Sequence, residues 1–260
     1  MFMKNILVCI KAVPAALQEC AGAEPTLQRE NISLQWNIAD QAALEAALQL
    51  RRSGGTVTVL TMGPSKLAEH LRELLGRGAD HVVLLSDPCM SGADTYVTAN
   101  TLTAAIQALG CFDLILCGRR SVDGETGQVP SMLGASLGMP CITNAEWLQK
   151  KEDKLVIRRR LENGTVTLSV SRPAVVSVCE YAYSLRMPGI AAMRQARGKQ
   201  VQCFTCTDLG LMPEECGLKG SLTKVIHIDQ KYPGLRKGKK ETDVSDGVRN
   251  LLKMCDEVRV

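Results

Sequence analysis

The segment Cys117–Gly138, CGRRSVDGETGQVPSMLGASLG, carries the chain's densest set of groups able to grip an anion. An apolar strand pattern runs into it and a helical pattern runs out. Backbone N–H groups at a helix start lack internal acceptors and sit at the positive end of the helix dipole, so a phosphate is stabilised there. Gly124 and Gly127 let the main chain turn tightly and approach a ligand, and Thr126 and Gln128 add hydrogen-bonding side chains. Asp123 and Glu125 would repel phosphate unless they point elsewhere, for instance to sugar hydroxyls. The plainer reading of the same residues is an Asp-Gly turn followed by a threonine cap. The string has neither the GxGxxG of a dinucleotide fold nor the GK[ST] of a P-loop, which disfavours both classes.

A second constellation is Cys203-Phe-Thr-Cys206 with Cys216 close behind, a spacing used by redox pairs and zinc sites. No second CxxC and no matching histidine completes it, so no metal site is assigned. The 11 cysteines are dispersed, many within apolar runs such as those around Cys9, Cys117 and Cys179, and read as reduced thiols. His70, His81 and His227 fall in no recognisable site. No catalytic acid, base or nucleophile is assigned.

The elements that must position the loop follow from hydrophobic patterning. Lys4–Ile10 is a continuous apolar run, suiting a strand buried on both faces. From Pro14 to Glu30 and on through Ile32–Trp36 the chain reads as a hairpin-like excursion at the sheet edge. Regular alternation then begins, with a helix capped by Asp40 and closed by Gly54–Gly55 before strand Thr56–Thr61. A helix after Pro64 leads to strand Val82–Leu85. A helix opening near Asp94 leads to strand Asp113–Cys117, and a further helix spans Thr126 to Leu137. Such alternation predicts an α/β fold with a mostly parallel sheet sandwiched by helices.

After Pro140, strands are expected at Leu155–Arg160, Thr165–Ser171 and Val175–Val178, with a hairpin turn at Asn163–Gly164. Residues 184–224 lack periodicity and read as an arm or functional loop, and Val244–Met254 reads as a terminal helix. The division expected is 1–183 for the α/β domain and 184–260 for a C-terminal arm and helix.

Composition sets the outer bounds. The 260 residues are 45% hydrophobic, enough for one large α/β core, with only 3% aromatics. A net charge of +4 without a basic stripe gives no reason to expect nucleic acid. The basic clusters Arg194–Lys199 and Arg236–Lys240 suit either a solvated surface or partner docking. No apolar run approaches the roughly 18 residues a membrane span needs. The start, MFMKNILVCIKAV, reads as a strand rather than a signal sequence, so a cytoplasmic location is expected.

Taken in order along the chain, several stretches resemble electron transfer flavoprotein beta subunits of bacterial type. They are LVCIKAVP (Leu7–Pro14), NIADQAALEAALQL (Asn37–Leu50), VTVLTMGP (Val57–Pro64), GRGADHVVLLSD (Gly76–Asp87), GADTYVTA (Gly92–Ala99), VDGETGQV (Val122–Val129) and MPGIAAMRQARGK (Met187–Lys199). The resemblance implies an adenine nucleotide alpha hydrolase-like, Rossmann-like fold with a β-hairpin region and an extended arm. It also implies a heterodimer with an electron transfer flavoprotein alpha subunit that carries FAD. In this subunit it implies bound FAD, as in the electron-bifurcating branch that the GETGQ and GADT strings resemble, or AMP as the alternative.

Carried over by position, the cofactor residues are Cys9, Asn37, Ile38, Ala39, Asp40, Met62, Asp94, Thr95 and Thr98. To these the main loop adds Asp123, Gly124, Glu125, Thr126, Gly127, Gln128, Val129, Pro130, Ser131, Met132, Leu133 and Gly134. The implied role is electron transfer between NADH or an acyl-CoA or related dehydrogenase and a downstream acceptor. Two other readings compete with it. A nucleotide-binding regulatory module would lack any redox role. An ATP-cleaving ligase would need a Ser/Gly-rich loop after the first strand, where this chain has KAVPAALQE.

Overall fold

The computed structural model describes residues 4–15, 33–51, 54–171, 173–226 and 242–257. Its core is a sheet whose central strand, β1 (Asn5–Cys9), is apolar at successive positions and buried on both faces. A two-stranded antiparallel ribbon follows, pairing β2 (Ala12–Pro14) with β3 (Leu34–Trp36). The expected excursion therefore exists, but it rises from the carboxyl end of the central strand and not from a sheet edge. Residues 16–32, its remainder, lie outside the described residues.

Regular alternation comes next: α1 (Ile38–Leu50), β4 (Thr56–Met62), α2 (Leu67–Gly76), β5 (His81–Leu85), α3 (Thr95–Leu109), β6 (Leu114–Gly118) and α4 (Val129–Leu137). Then come β7 (Cys141–Lys151), β8 (Lys154–Leu161), β9 (Gly164–Val170) and β10 (Ala174–Val178). The described chain up to residue 226 ends with α5 (Ile190–Arg197), β11 (Gln202–Phe204) and the short α6 (Gly217–Gly220).

The nine-stranded sheet runs β11-β5-β4-β1-β6-β10-β7-β8-β9. Every neighbouring pair from β11 to β7 is parallel, and the pairs β7–β8 and β8–β9 are antiparallel, so that β8 alone of these strands runs against the rest. The α/β expectation of a mostly parallel, helix-covered sheet is what the chain adopts. Ile6, Val8, Val57 and Val59 pack under α1 and α2 on one face, and Leu7, Leu60, Ile115 and Cys117 pack with α3 and α4 on the other. The chain moves outward from β1 through β4 to β5, then α3 returns it to β6 on the far side of β1. The switch point lies between β1 and β6, and a crevice outside the strands' carboxyl ends there is where ligands bind in such sheets.

Two sequence expectations need correction. Strand β7 was passed over, because a bulge between Ala145 and Trp147 and the positive φ of Asn144 (59°) break the period-two pattern. Residues 184–224 are also more regular than expected. They contain α5 and β11, which adds a strand beside β5, and the chain divides into compact units of residues 1–226 and 227–260.

The second unit, 227–260, contributes α7 (Val244–Glu257), close to the expected terminal helix. Asp243 opens it by accepting the N–H of Asp246 at 3.0 Å. The cluster Arg236–Lys240 and His227 lie outside the described residues. None of the described helices is long and apolar enough to cross a membrane.

Candidate functional site

The cofactor residues singled out in the sequence come from five separate stretches: parallel strands β1, β4, β5 and β6 deliver Cys9, Met62, Asp94–Thr98 and Asp123–Gly134 to the carboxyl edge of the sheet, and the β2–β3 ribbon brings Asn37–Asp40 there. Asp40 is the innermost. It does not cap α1; Asn37 is the cap residue, and Asp40 lies inside the first turn. Its carboxylate reaches both sides of the switch point, accepting the N–H of Lys11 after β1 at 2.8 Å and of Gly118 at the end of β6 at 2.8 Å. A Cβ on Gly118 would collide with Asp40 Oδ1 and the Ala39 backbone, so only glycine permits this approach. Burial pushes the Asp40 carboxyl up to about 7, against the lowering effect of its hydrogen bonds from Lys11, Asn37 and Gly118.

Asn37 is 1% exposed and fixes the loop after β6. Its amide donates to Arg120 O at 2.9 Å, and its carbonyl accepts the N–H of Val122 at 3.2 Å. Ile38 and Ala39 follow it in the first turn of α1. Neither acid of the main loop faces outward unpaired. The Asp123 side chain is 1% exposed and meets Lys11 Nζ at 2.7 Å. Glu125, at φ 50°, lies 3.5 Å from Arg120, which also pairs with Glu180 at 3.0 Å. Lys11, Arg120 and Glu180 were not among the sequence candidates. Lys11 and Asp123 are 112 residues apart and Arg120 and Glu180 are 60 apart, so only the fold makes those pairings visible.

The helix after this loop begins at Val129, three residues later than expected, because Glu125 and Gly127 both have positive φ and cannot continue a right-handed turn. Gly127, at φ 63°, would place a Cβ 3.3 Å from Arg119 O. Gly124, Thr126, Gln128 and Ser131 are exposed. Met132 N–H bonds back to Gln128 O at 3.1 Å, so the amides before it belong to the open first turn, where Pro130 supplies no donor.

Asp94 does cap α3, accepting the N–H of Val97 at 3.0 Å, and its other oxygen accepts from Thr223 N–H and Oγ1, each at 3.0 Å. Thr95 Oγ1 donates to Gln128 Oε1 at 2.8 Å. That bond sets the N-termini of α3 and α4 side by side. Thr98, half-buried, is one turn further along α3.

The remaining candidates are mainly packing residues. Cys9 and Leu133 belong to the core on the α3/α4 face, with Met62 partly buried against it. Gly134 lets α4 approach β7, since a Cβ there would lie 2.7 Å from Cys141 Cβ. Chemically, the edge offers first-turn amides from two helices, the hydroxyls of Thr126 and Ser131, and carboxylates already engaged by cations or amides. That donor set suits the phosphates of a nucleotide.

Comparison with known proteins identifies the family. The electron transfer flavoprotein domain family matches residues 26–209. The chain is 38% identical over 225 residues to an electron transfer flavoprotein subunit beta of Thermoanaerobacterium thermosaccharolyticum, covering 85% of this chain and 86% of that one. It is 36% identical over 225 residues to the Caffeyl-CoA reductase-Etf complex subunit CarD of Acetobacterium woodii, with the same coverage of 85% and 86%. An electron transfer flavoprotein subunit beta of Mycobacterium leprae is 33% identical over 258 residues, covering 96% of this chain and 97% of that one.

Proposed function

The chain belongs to the electron transfer flavoprotein family as a beta subunit, and from that premise we propose that its carboxyl-edge loops hold the adenosine and diphosphate portion of FAD. The observation that carries the reading is the Thr95–Gln128 hydrogen bond of 2.8 Å, which places two helix N-termini together. Paired N-termini suit a diphosphate better than the single phosphate of AMP, because each offers its own set of open amides.

In this reading the amides of Thr126–Val129 and Ser131, together with the Ser131 hydroxyl, bind phosphate oxygens. Thr95 and Thr98 line the α3 side, and Asn37–Asp40 brace the loop from beneath. Cys9 and Met62 give an apolar floor, and Met132, Leu133 and Gly134 seat α4. Bound flavin supplies the electron chemistry, and the chain supplies placement and shielding. The subunit works in the cytoplasm as a heterodimer with an FAD-carrying alpha subunit. It passes electrons from NADH or an acyl-CoA or related dehydrogenase to a downstream acceptor; similarity to the Caffeyl-CoA reductase-Etf complex subunit of Acetobacterium supports a reductase of acyl-CoA type as partner.

The test is Gly127→Val in the coexpressed heterodimer. A β-branched residue is disfavoured at φ 63° by at least about 1–2 kcal/mol. The complex is expected to assemble but retain about tenfold less nucleotide in this subunit. Undiminished nucleotide content would contradict the proposed grip.

A further inference from the structure

Cys89, Cys206 and Cys216 come from three separate loops, yet their sulfurs all lie within 4.8 Å of one another. Cys206 Sγ is 3.4 Å from Cys216 Sγ, and the sulfurs of Cys89 and Cys206 are in bonding contact as a disulfide. The sequence pattern pairs Cys206 with Cys203 instead. Cys203 is exposed on β11, and its thiol turns towards Val201 O.

Three features hold the cluster in place. The Asp87 carboxylate accepts the N–H of Cys89 at 3.0 Å and of Cys206 at 3.2 Å, fixing two of the backbones from one point. Gly217, at φ 53°, lets the chain beside Cys216 press against Cys89 O and Ser91 O, where any Cβ would collide. Leu218 N–H then bonds to Ser91 O at 2.9 Å. Cys206 and Cys216 are 2% and 1% exposed, inside the apolar core that includes Met90.

A disulfide accounts for only two of these three convergent sulfurs. The Cα atoms of Cys89 and Cys206 are 7.5 Å apart, beyond the roughly 7 Å that two cysteines bridge without backbone movement. Thiolates sharing one metal ion are held further apart than bonded sulfurs, which suits that backbone spacing. Asp87, Glu214 and Glu215 all place negative charge around Cys216, favouring a cation.

We propose that Cys89, Cys206 and Cys216, in their thiol form, make a trithiolate site for a thiophilic divalent cation of the zinc type, with an exogenous ligand such as water as the fourth donor. On binding, each thiol loses its proton to solvent as its sulfur–metal bond forms, and nothing is oxidised or reduced. The ion staples the chain after β11 to the loop that precedes α3. That same loop is tied again where Ser221 Oγ accepts the N–H of Asp94 at 2.8 Å. The site shares no residue with the nucleotide reading and does not depend on it.

The test uses the full chain, reduced with a phosphine, stripped of metal and titrated with cobalt(II). One equivalent should give the thiolate-to-cobalt charge-transfer band and the intense visible bands of a tetrahedral site, and one equivalent of zinc(II) should bleach them. Cys216→Ser should lose those bands and Cys203→Ser should keep them, with circular dichroism verifying that both remain folded. Asp87→Asn retains every sulfur and should weaken cobalt binding about tenfold. Reduced, folded wild-type chain without the bands would overturn the proposal, as would their persistence in Cys216→Ser. So would a chain whose disulfide forms and reduces normally while taking up no metal.

Discussion

Asp40 accepts main-chain N–H groups from both sides of the switch point while only 7% exposed. With its carboxyl raised to about 7, the folded chain keeps this proton in a range where an unfolded aspartate, titrating near 3.8, has released it. The folded state therefore binds more protons between pH 4 and 7, and this group's contribution to stability is lost as pH rises through that window. The total is a few kcal/mol, at about 1.4 kcal/mol per tenfold in proton affinity. Asp40→Asn removes the titration and sets an amide donor against a backbone donor, costing about 1–3 kcal/mol. Urea midpoints for both proteins should show the gap between them narrowing from pH 4 to 7; a gap constant with pH would contradict the assignment. Gly118→Ala should displace the same carboxylate and lower stability by a similar amount, read by thermal melting. Neither role was legible in the sequence, where Asp40 reads as a helix cap and Gly118 falls just past the strand expected at Asp113–Cys117.

At the scale of elements, Glu45 and Arg186 join α1 to the chain after β10. Arg186 forks onto Glu45 through Nε at 2.9 Å and Nη2 at 2.8 Å, and its N–H adds a third bond at 3.1 Å. Burial works to raise the Glu45 carboxyl, but the bonds from Arg186 and Gln49 outweigh it and hold it below the usual value of 4.5. Its stabilisation is present above that pH and is lost as pH falls through the depressed folded value. Arg186→Met strands a carboxylate whose side chain is 5% exposed, and should cost about 3 kcal/mol in a urea titration at pH 7, with a smaller deficit in acid. Elements with clean periodicity, such as β1, α2 and the hairpin β8–β9, were legible from the sequence because one local rule determined each. Strand β7 was not, since its bulge flips the inward face midway, and β11 is a three-residue edge strand placed by its neighbour β5. The start of α4 shifted because backbone sign at Glu125 and Gly127, rather than the threonine cap, decides where the helix can begin.

At the scale of the molecule, the division at Ile226 separates the α/β unit from a segment whose helix α7 exposes Val244, Val248, Leu251 and Leu252. An apolar stripe of this kind, recurring at helical spacing, suits association with another chain. Truncation after residue 226 should leave the thermal melt of the α/β unit within about 1 kcal/mol of the full chain while weakening the heterodimer on size-exclusion chromatography. A truncated chain that fails to fold would contradict that division. The carboxyl-edge site was legible as a loop of the right composition, but its strongest feature, two helix starts joined through Thr95 and Gln128, depends on a contact 33 residues apart in sequence. Whether that edge grips a nucleotide is read most directly by denaturing the purified heterodimer and counting what it releases. Two FAD per heterodimer are expected; one FAD with stoichiometric AMP would keep the grip but change its ligand, and a folded complex releasing one FAD and no second nucleotide would contradict the account.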